Sequence, residues 1–311
     1  MKQTQRTQPS ASKLAFNRGM EFDYGVLQPI LPGVRRLVAN NPSPFTFKGT
    51  NTYVVGSGSV GVIDPGPEGT EHGEALMQAL SGERISHILV THTHRDHTDG
   101  VAWLKERTGA ALLGYGPTGE ERGVRTAGAT DASFVDQDFA PDQTLREGDT
   151  VGGENWALDV IHTPGHAPDH LCFALMGERT VFSGDHVMGW NTTIVAPPEG
   201  HMGRYIGSLH KLMERSDKVF LPAHGGRIKT PQRVVKAYIM HRKWREGAIY
   251  TCLEEGLGSI PEIVAKIYPD LNPDLYGAAA LSVLAHLEYL SERGLIDSDV
   301  PSAIDASFAP A

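Results

Sequence analysis

Residues 91–100 read THTHRDHTDG, a stretch that places three histidines and two aspartates within ten positions. A packed core would not favour this composition, because a buried polar group costs free energy unless it finds a partner. Imidazole and carboxylate together are good ligands for Zn²⁺, and Mn²⁺ or Fe would also suit them. The stretch therefore predicts a metal site that includes His92, His94, Asp96 and His97, provided that other segments supply further ligands.

Three distant segments each offer one more residue of a ligand type. His166 lies in HTPGHAPDH, Asp185 in FSGDHVMG and His224 in LPAHGG, and each follows an apolar run and a tight turn. Any one of them alone would be an ordinary surface histidine or turn aspartate. All of them in series with the histidine-rich stretch predict a single site built from four parts of the chain.

The elements that must position these residues are mostly strands. Apolar runs bounded by Gly, Pro and Ser predict strands at 35–40, 51–56, 60–66, 85–92, 156–164, 171–177, 179–185 and 218–226. Helices are predicted at 70–81, over VAWLKER after the histidine cluster, and at 202–215. Each candidate ligand thus follows the end of a strand, where a rigid scaffold can present a loop. Alternation of side chains along such a loop would let one segment serve two neighbouring metals.

The chain changes character near residue 230 and becomes helical. Ser259 with Glu262 forms a capping box, and Asn272 before Pro273 starts a helix that ends at Gly294. We therefore expect a flexible tail at 1–20, a catalytic domain at 21–235 and a small domain at 236–311, with a continuous helix across the second boundary.

Composition limits the class of protein. The chain has 311 residues, 40% of them apolar, and a formal charge of −9. No run approaches the ~20 apolar residues of a membrane span, and residues 1–20 lack the apolar core of a secretory signal. Two cysteines, Cys172 and Cys252, are too few for a disulfide framework. These features favour a cytoplasmic protein without a membrane partner.

The C-terminal region does not have the charge of a DNA-binding domain. Residues 236–311 contain 6 Lys and Arg against 11 Asp and Glu, a net charge of −5. Phosphate contacts need cations, so DNA is excluded as the expected partner. A docking surface, a homo-oligomer contact or a wall over the active site fits this domain better.

The candidate ligands, in this order and at this spacing, resemble the metallo-β-lactamase fold superfamily. The resemblance implies an α/β fold, an αββα sandwich with the site at one edge of two sheets. It implies that His92, His94 and His166 hold one metal, that Asp96, His97 and His224 hold a second, and that Asp185 bridges them. The resemblance places that bridging carboxylate in the glyoxalase-II-like and nuclease-like branches, whereas the true β-lactamases lack it.

A narrower resemblance covers nearly all of residues 21–296. NNPSPFTFKGTNTYVVG, GDHVMGWNTTIVAPPEG and HRKWREGAIY are similar to the lactamase-beta-2-like subgroup. The tail from residue 260 to 296 resembles the winged-helix C-terminal domain of that subgroup. Thr93 stands where some members carry an aromatic residue, which would alter the rim of the site and not its metals.

The chemistry implied is hydrolysis. Two zinc ions about 3.5–4 Å apart lower the pKa of a shared water to about 7 and polarise the substrate oxygen, so a metal-bridging hydroxide would be the nucleophile. Asp96 is then both a ligand and the base that orients this nucleophile. No Ser-His-Asp arrangement is visible.

Other residues near the motifs are weaker candidates. Asp64 in VIDPG is expected to orient a ligand histidine from behind the metal. His170, with Asp169, is expected to line the pocket or to donate a proton to the leaving group. Trp190 and Asn191 follow Asp185 and are candidates for the wall of the substrate pocket.

The substrate is the least determined feature. We expect a small-molecule carboxyl ester, thioester or lactone; the alternative is a single-stranded RNA endoribonuclease or phosphodiesterase, and a β-lactamase is a weaker one. The complete ligand set argues against a non-enzymatic metal-binding scaffold. The irregular stretch 116–143 holds two arginines, Arg122 and Arg125, against six acids, which would repel a polyanion. This charge balance disfavours RNA.

Overall fold

Two β-sheets form the larger part of the fold. The computed structural model describes Phe16 and residues 18–116, 134–298 and 300–311. Within them, the first sheet has seven strands in chain order. These are β1 (Gln28–Leu31), β2 (Val34–Val38), β3 (Asn51–Val55), β4 (Ser59–Ile63), β5 (Arg84–Leu89), β6 (Ala111–Gly114) and β7 (Gln143–Thr144). Strands β1 to β4 pair antiparallel, and β4 to β7 pair parallel.

The second sheet has five strands in the spatial order β12-β11-β10-β9-β8. They are β8 (Thr150–Gly152), β9 (Ala157–His162), β10 (Leu171–Leu175), β11 (Thr180–Gly184) and β12 (Val219–Pro222). Only the β11–β12 pair is parallel. Strands β9 and β10 stay paired up to His162 and Leu171, so the segment between them emerges at one edge of the sheet.

Helices cover the outer faces of both sheets. Helices α1 (Thr70–Ala79) and α3 (Val101–Thr108) pack Leu76 and Leu104 on the first sheet, and the four-residue α2 (Arg95–Thr98) precedes α3. Helices α4 (Met202–Glu214) and α5 (Pro231–Glu254) pack Tyr205 and Tyr238 on the second sheet. A further apolar cluster fills the space between the sheets. The predicted αββα sandwich is therefore confirmed.

The C-terminal part has its own small core. Helix α6 (Ile260–Ile267), a 3-10 turn (Pro273–Leu275) and α7 (Tyr276–Glu292) pack against the last turns of α5, and β13 (Ile296–Ser298) pairs with β14 (Phe308–Pro310) as a short hairpin. The capping box of Ser259 and Glu262 is present. This helical unit with a two-stranded wing matches the predicted winged-helix-like domain. The expected boundary after residue 235 falls inside α5, which is continuous there.

The predicted strands and helices are present, with ends that differ by a few residues. The sequence pattern did not reveal β1, β6, β7, β8 and β14, which have two to four residues each. Such strands are too short to show an alternation of apolar and polar residues. Phe16 packs against the core beneath α4 and α5, although we assigned it to the flexible tail; residues 1–15 and 17 lie outside the described part.

Each candidate ligand follows a strand at the same edge of the sandwich. His92 and His94 come after β5, His166 after β9, Asp185 directly after β11 and His224 after β12. We expected side chains that alternate along an extended loop to separate the histidine cluster into two ligand groups. Asp96 and His97 instead lie in the helical turn of α2, so the start of this helix separates them from His92 and His94. Among the described helices, none is long and apolar enough to cross a membrane.

Candidate metal centre

Seven side chains converge at this edge as two adjacent groups of potential metal ligands, and they are the seven that the sequence motifs indicated. The first group is His92, His94, His166 and Asp185, and the second is Asp96, His97 and His224. Within each group the candidate donor atoms lie within 4.8 Å of one another. Four separate chain segments thus contribute to one compact cluster of imidazole nitrogens and carboxylate oxygens.

The five imidazoles are oriented by acceptors on their outer side. A ring nitrogen that faces a carbonyl or carboxylate carries the proton, which leaves a lone pair on the other nitrogen of a neutral ring. Thr91 also acts as an acceptor, because its hydroxyl proton is donated to Asp64. The pairs are His92 Nδ1 with Thr91 Oγ1 (3.0 Å), His94 Nε2 with Glu199 Oε2 (3.4 Å), His97 Nδ1 with Asp64 Oδ2 (3.0 Å), His166 Nδ1 with the Ile194 carbonyl (2.7 Å) and His224 Nδ1 with the Gly49 carbonyl (3.3 Å).

The inner nitrogens therefore face one another with lone pairs. His94 Nδ1 lies 2.8 Å from His92 Nε2 and 3.1 Å from His166 Nε2. Three imidazoles in these tautomers, when their rings are neutral as metal binding requires, have no proton to place between those atoms, so a cation is the natural partner for all three nitrogens. The donor set fits a transition metal such as zinc, which binds neutral imidazole nitrogen and carboxylate oxygen.

Asp185 contacts histidines of both groups. Its Oδ2 lies 3.7 Å from His166 Nε2 and 3.8 Å from His97 Nε2, and its Oδ1 lies 3.3 Å from His224 Nε2. The Asp96 carboxylate belongs to the second group alone, with Oδ2 at 3.3 Å from both His97 Nε2 and His224 Nε2. A carboxylate between two ligand groups is the arrangement expected for a bridging position.

The electrostatic state without a cation differs between the two groups. Burial lowers the pKa of His166 to about 4 and that of His92 well below its usual range, so both rings are neutral. For His224, burial is outweighed by Asp185 and Asp96, which raise its pKa to about 10. The pKa of His97 is raised in the same way, against burial, by Asp96 and Asp64. The second group thus holds protons that a cation would displace.

The carboxylates show the complementary shift. Burial would raise the pKa of Asp96, but His97 and His224 hold it well below the usual range of a carboxyl. The pKa of Asp185 is likewise lowered, chiefly by His224, against the effect of burial. Both side chains are therefore ionised over the physiological range, as metal ligands must be.

Comparison with known proteins agrees with this geometry. Residues 45–224 match the model of the metallo-beta-lactamase superfamily, and residues 259–300 match that of the beta-lactamase associated winged helix domain. The chain belongs to the metallo-beta-lactamase superfamily. It is accordingly a metal-dependent hydrolase with a C-terminal winged-helix domain.

Individual relatives support the assignment over most of the chain. It is 32% identical over 287 residues to "Beta-lactamase-like protein 2 homolog" of Drosophila melanogaster, covering 85% of this chain and 92% of the relative. It is 32% identical over 261 residues to "Atrochrysone carboxyl ACP thioesterase" of Aspergillus chevalieri, covering 80% and 77% of the two chains. A beta-lactamase domain protein of Burkholderia ambifaria shares the fold, with a TM-score of 0.76 at 22% identity over 92% of this chain and 94% of that one.

Asp64, one of the weaker candidates, lies behind His97 in the candidate metal centre. Its Oδ1 accepts the Thr91 backbone N–H (2.8 Å), and its Oδ2 faces Thr91 Oγ1 (2.8 Å) and His97 Nδ1 (3.0 Å). The residue is buried and has a φ of 50°, a left-handed conformation that Asp tolerates better than most side chains. Asp64 therefore links Thr91, which follows β5, to His97 by hydrogen bonds.

Asp169 and His170 are buried beneath the site and do not face solvent. Asp169 Oδ2 accepts the Thr93 backbone N–H at 3.0 Å, which fixes the peptide between His92 and His94. Both nitrogens of His170 are engaged, Nδ1 with the Thr163 hydroxyl (2.8 Å) and Nε2 as acceptor of the Asp185 N–H (3.1 Å). A ring in this state has no proton to offer a leaving group, so the geometry favours positioning over proton donation.

Trp190 and Asn191 lie at the border of the site in different ways. The Trp190 ring is nearly buried and stacks on Phe47, with ring centroids 4.9 Å apart and an interplanar angle of 11°. It also lies against Gly225, where a Cβ would come within 2.9 Å of the indole. Asn191 is exposed, and its side chain accepts the N–H of Thr192. Trp190 thus supports the segment around Phe47, and Asn191 is the one that faces solvent.

Two residues at the site escaped the sequence analysis. Thr50 donates its hydroxyl proton to Asp96 Oδ2 at 2.9 Å, and Glu199 faces His94. Both lie in segments whose sequence indicates only the resemblance to the lactamase-beta-2-like subgroup. A polar residue in a loop far along the chain carries no spacing signal that would connect it to the histidine cluster.

The acidic stretch 116–143 is described only in part, since residues 117–133 lie outside the described residues. Its C-terminal portion lies against the histidine loop, with Val135 bridging to His94 and the Asp136 N–H donating to the Thr93 carbonyl at 2.8 Å. Asp142 is paired with Lys105 at 2.6 Å, so it adds less negative charge to the rim than the sequence suggested.

Proposed function

We propose that this protein is a dinuclear zinc hydrolase that cleaves small carboxyl esters, with thioesters as the preferred class. The observation that carries the proposal is the convergence of five oriented imidazoles and two ionised carboxylates at one edge of the sandwich. His92, His94 and His166 would hold one ion, and Asp96, His97 and His224 the other. Asp185, which contacts both groups, would bridge them. A pair of such ions lowers the pKa of water and polarises a carbonyl oxygen.

Asp96 is the carboxylate of the pair that reaches solvent. Its side chain is 28% exposed, against 11% for Asp185. Oδ2 is already engaged by Thr50, His97 and His224. Oδ1 is then the oxygen available to accept a hydrogen bond from the attacking water. Because the low pKa of Asp96 makes it a weak base, its role would be to orient that water by a hydrogen bond rather than to hold its proton.

The thioester preference rests on the relatives and on charge. Relatives at about the same identity over most of the chain bear the name "Atrochrysone carboxyl ACP thioesterase". A dinuclear site can attack carboxyl and phosphoryl esters alike, so selection depends on the walls and on the surrounding field. The formal charge of −9 would repel a polyanion such as RNA more than a neutral acyl thioester.

The test compares substrate classes with one enzyme preparation. Protein purified without a chelator is first analysed for metals, and about two transition-metal ions per chain are expected. Turnover is then measured on acetyl-N-acetylcysteamine, an aryl ester, a lactone, a cephalosporin, a bis-aryl phosphodiester and single-stranded RNA. We expect the thioester to have the highest kcat/KM.

Asp96→Asn keeps the shape of the side chain and removes its charge, so it should abolish most turnover. Asp159→Asn is the matched control, because Asp159 is a carboxylate of β9 that bonds only to the nearby Thr150 hydroxyl in the described structure. RNA cleavage that is lost in Asp96→Asn, together with negligible turnover of the carboxyl esters, would replace our assignment with a nuclease. A folded, metal-free protein would contradict the dinuclear site itself.

A further inference from the structure

One stretch of this acidic protein is strongly basic. Residues 218–245 contain eight Lys and Arg and no Asp or Glu, in a chain with 28 basic and 37 acidic residues overall. Two of the eight, Arg242 and Arg245, are buried. The other six are exposed, and the stretch runs from β12 into α5.

The exposed cations on α5 share one face with two apolar side chains. Because residues in a helix are rotated by about 100° each, these side chains fall within a stripe about 100° wide. We call this stripe the α5 face, and it consists of Arg233, Lys236, Met240, Lys243 and Trp244. Met240 is 58% exposed and Trp244 is 38% exposed, although both lie in a helix whose opposite side is core.

The three cations of the α5 face have no acidic partner within the described part of the chain. No described residue forms an ion pair with Arg233, Lys236 or Lys243. By contrast, ion pairs with acids are made by Lys105, Lys211 and Lys266. Met, Trp and Arg are enriched at protein interfaces, whereas Lys is depleted there. The two lysines of the face are therefore not explained by an ordinary apolar interface. The combination is therefore suited to a partner that brings its own negative charge.

Side chains on the opposite side of the same helical turns are connected by hydrogen bonds to the backbone that follows and includes Asp185. The Tyr238 hydroxyl accepts the Met188 backbone N–H at 3.1 Å, and the Arg242 guanidinium donates to the Thr193 carbonyl. Thr193 in turn donates its hydroxyl proton to the Asp185 carbonyl at 2.7 Å. The apolar end of the α5 face thus lies about one helix diameter, ~10 Å, from the loop that follows Asp185.

We propose that the α5 face docks a small acidic protein that carries the acyl thioester on a flexible arm. The inference rests on the proposed thioesterase function, and it adds the partner that delivers the substrate. Acidic side chains of that partner would pair with Lys236 and Lys243, and an apolar side chain would cover Met240 and Trp244. Docking there places the carrier beside the metal centre without inserting it into the site.

An acidic protein fits the α5 face better than a nucleic acid does. The face offers three cations interleaved with two large apolar side chains, whereas binding to a phosphate backbone gains affinity from many cations and is sequence-independent. Residues 246–311, which follow the basic stretch, contain 2 Lys and Arg against 11 Asp and Glu, a net charge of −9, and would repel an extended polyanion that continued along α5. A compact partner with a local acidic patch avoids that repulsion, since charges are screened beyond ~8 Å at physiological salt.

The test uses two substrates with the same acyl group. One is acetyl-N-acetylcysteamine, and the other is a purified acidic acyl carrier protein loaded with an acetyl thioester. The variant is Lys236→Glu combined with Lys243→Glu in the full-length, metal-loaded enzyme. We expect KM for the carrier-bound substrate to rise about tenfold, with kcat and the KM for the free thioester unchanged. The single variant Trp244→Ala should also raise the KM for the carrier-bound substrate and leave the KM for the free thioester unchanged.

Arg84→Glu is the matched control, because Arg84 is an exposed cation at the start of β5, the end of that strand opposite the histidine cluster. It should leave both substrates unaffected. Equal effects of the double variant on both substrates, or none on either, would overturn the proposal. Calorimetric titration of Asp96→Asn with the loaded carrier gives a readout that does not depend on turnover. No binding of the loaded carrier in that titration would overturn the proposal. Charge-reversal-sensitive binding of oligouridine or of phosphatidylglycerol vesicles instead would assign the face to a nucleic acid or to a lipid surface.

Discussion

The hydroxyl of Thr50 donates a 2.9 Å hydrogen bond to Oδ2 of Asp96, although 46 positions separate the two residues. Thr50 is itself held by Asn41, whose Oδ1 accepts the Thr50 N–H at 2.9 Å and whose amide lies 3.0 Å from the Thr50 hydroxyl. The segment before β3 thereby fixes one carboxylate oxygen of the second ligand group. The same segment also orients His224 through the Gly49 carbonyl.

Thr50→Val should therefore lower activity without unfolding the protein. Valine has the shape of threonine but lacks the hydroxyl, so Asp96 keeps its place and loses one of its donors. A loss of about tenfold in kcat or in affinity for the second metal is expected for a group that orients a ligand. Thr50→Ser, which keeps the hydroxyl, should restore most of the activity.

Thr150→Val provides the control for that experiment. Thr150 also donates to an aspartate, Asp159 at 3.0 Å, but the pair lies on β8 and β9 away from the ligands. Activity that fell equally in both Thr→Val variants would show that the loss comes from general destabilisation. Unchanged metal affinity and unchanged kcat in Thr50→Val would show that the bond to Asp96 is dispensable.

Asp64→Asn should weaken metal binding more than it weakens the fold. Asparagine tolerates the left-handed backbone at this position, where φ is 50°, but it carries no charge for the proton on His97 Nδ1. A loss of about 10- to 100-fold in metal affinity is expected, measured by competition with a chromophoric chelator. Asp149→Asn, which removes a surface carboxylate that accepts the Arg146 N–H, should bind metal like the wild type. Equal affinity in Asp64→Asn and the wild type would rule out this orienting role.

The ligand positions could be predicted from the sequence because each one ends a strand. A run such as ISHILV, a turn and a histidine form a local pattern, and four such patterns can be read without knowing how the strands pair. The contacts of Thr50 with Asp96 and of Glu199 with His94 have no local pattern, since they depend on how distant loops meet. His170 illustrates a different limit, because its role depends on the Asp185 N–H that occupies its ring nitrogen.

The extent of the first domain also depends on tertiary packing that the sequence does not show. The change of composition near residue 230 is real, but Tyr238 and Ile239, beyond it, pack in the core beneath the second sheet. A chain that ends at residue 235 should therefore aggregate or lose metal, because it exposes that core. A chain that ends at residue 254 keeps all of α5 and should retain more folded protein, measured by circular dichroism and gel filtration. Equal solubility and activity of the two truncated chains would contradict a structural role for this part of α5.

Glu288 in α7 should make stability depend on pH in the C-terminal domain. Burial raises the pKa of Glu288 to about 7, with a hydrogen bond to Ser302 acting against that shift and Glu292 adding to it. The folded protein therefore binds this proton more tightly than the unfolded chain, whose carboxyl has the ordinary value of 4.5. The stabilising effect is complete below pH 4.5 and is lost as the pH rises through about 7.

Glu288→Gln removes this titration, so its benefit should appear only at higher pH. At pH 8 the variant should unfold at a temperature above that of the wild type, by about 2 °C, since the side chain is only partly buried and ~1 kcal/mol shifts the Tm of a chain of this size by that amount. At pH 5 the difference should be smaller. Glu254→Gln, at an exposed position of α5, should show the same Tm as the wild type at both pH values. A Tm difference for Glu288→Gln that is the same at pH 5 and pH 8 would mean that Glu288 does not bind a proton more tightly in the folded protein.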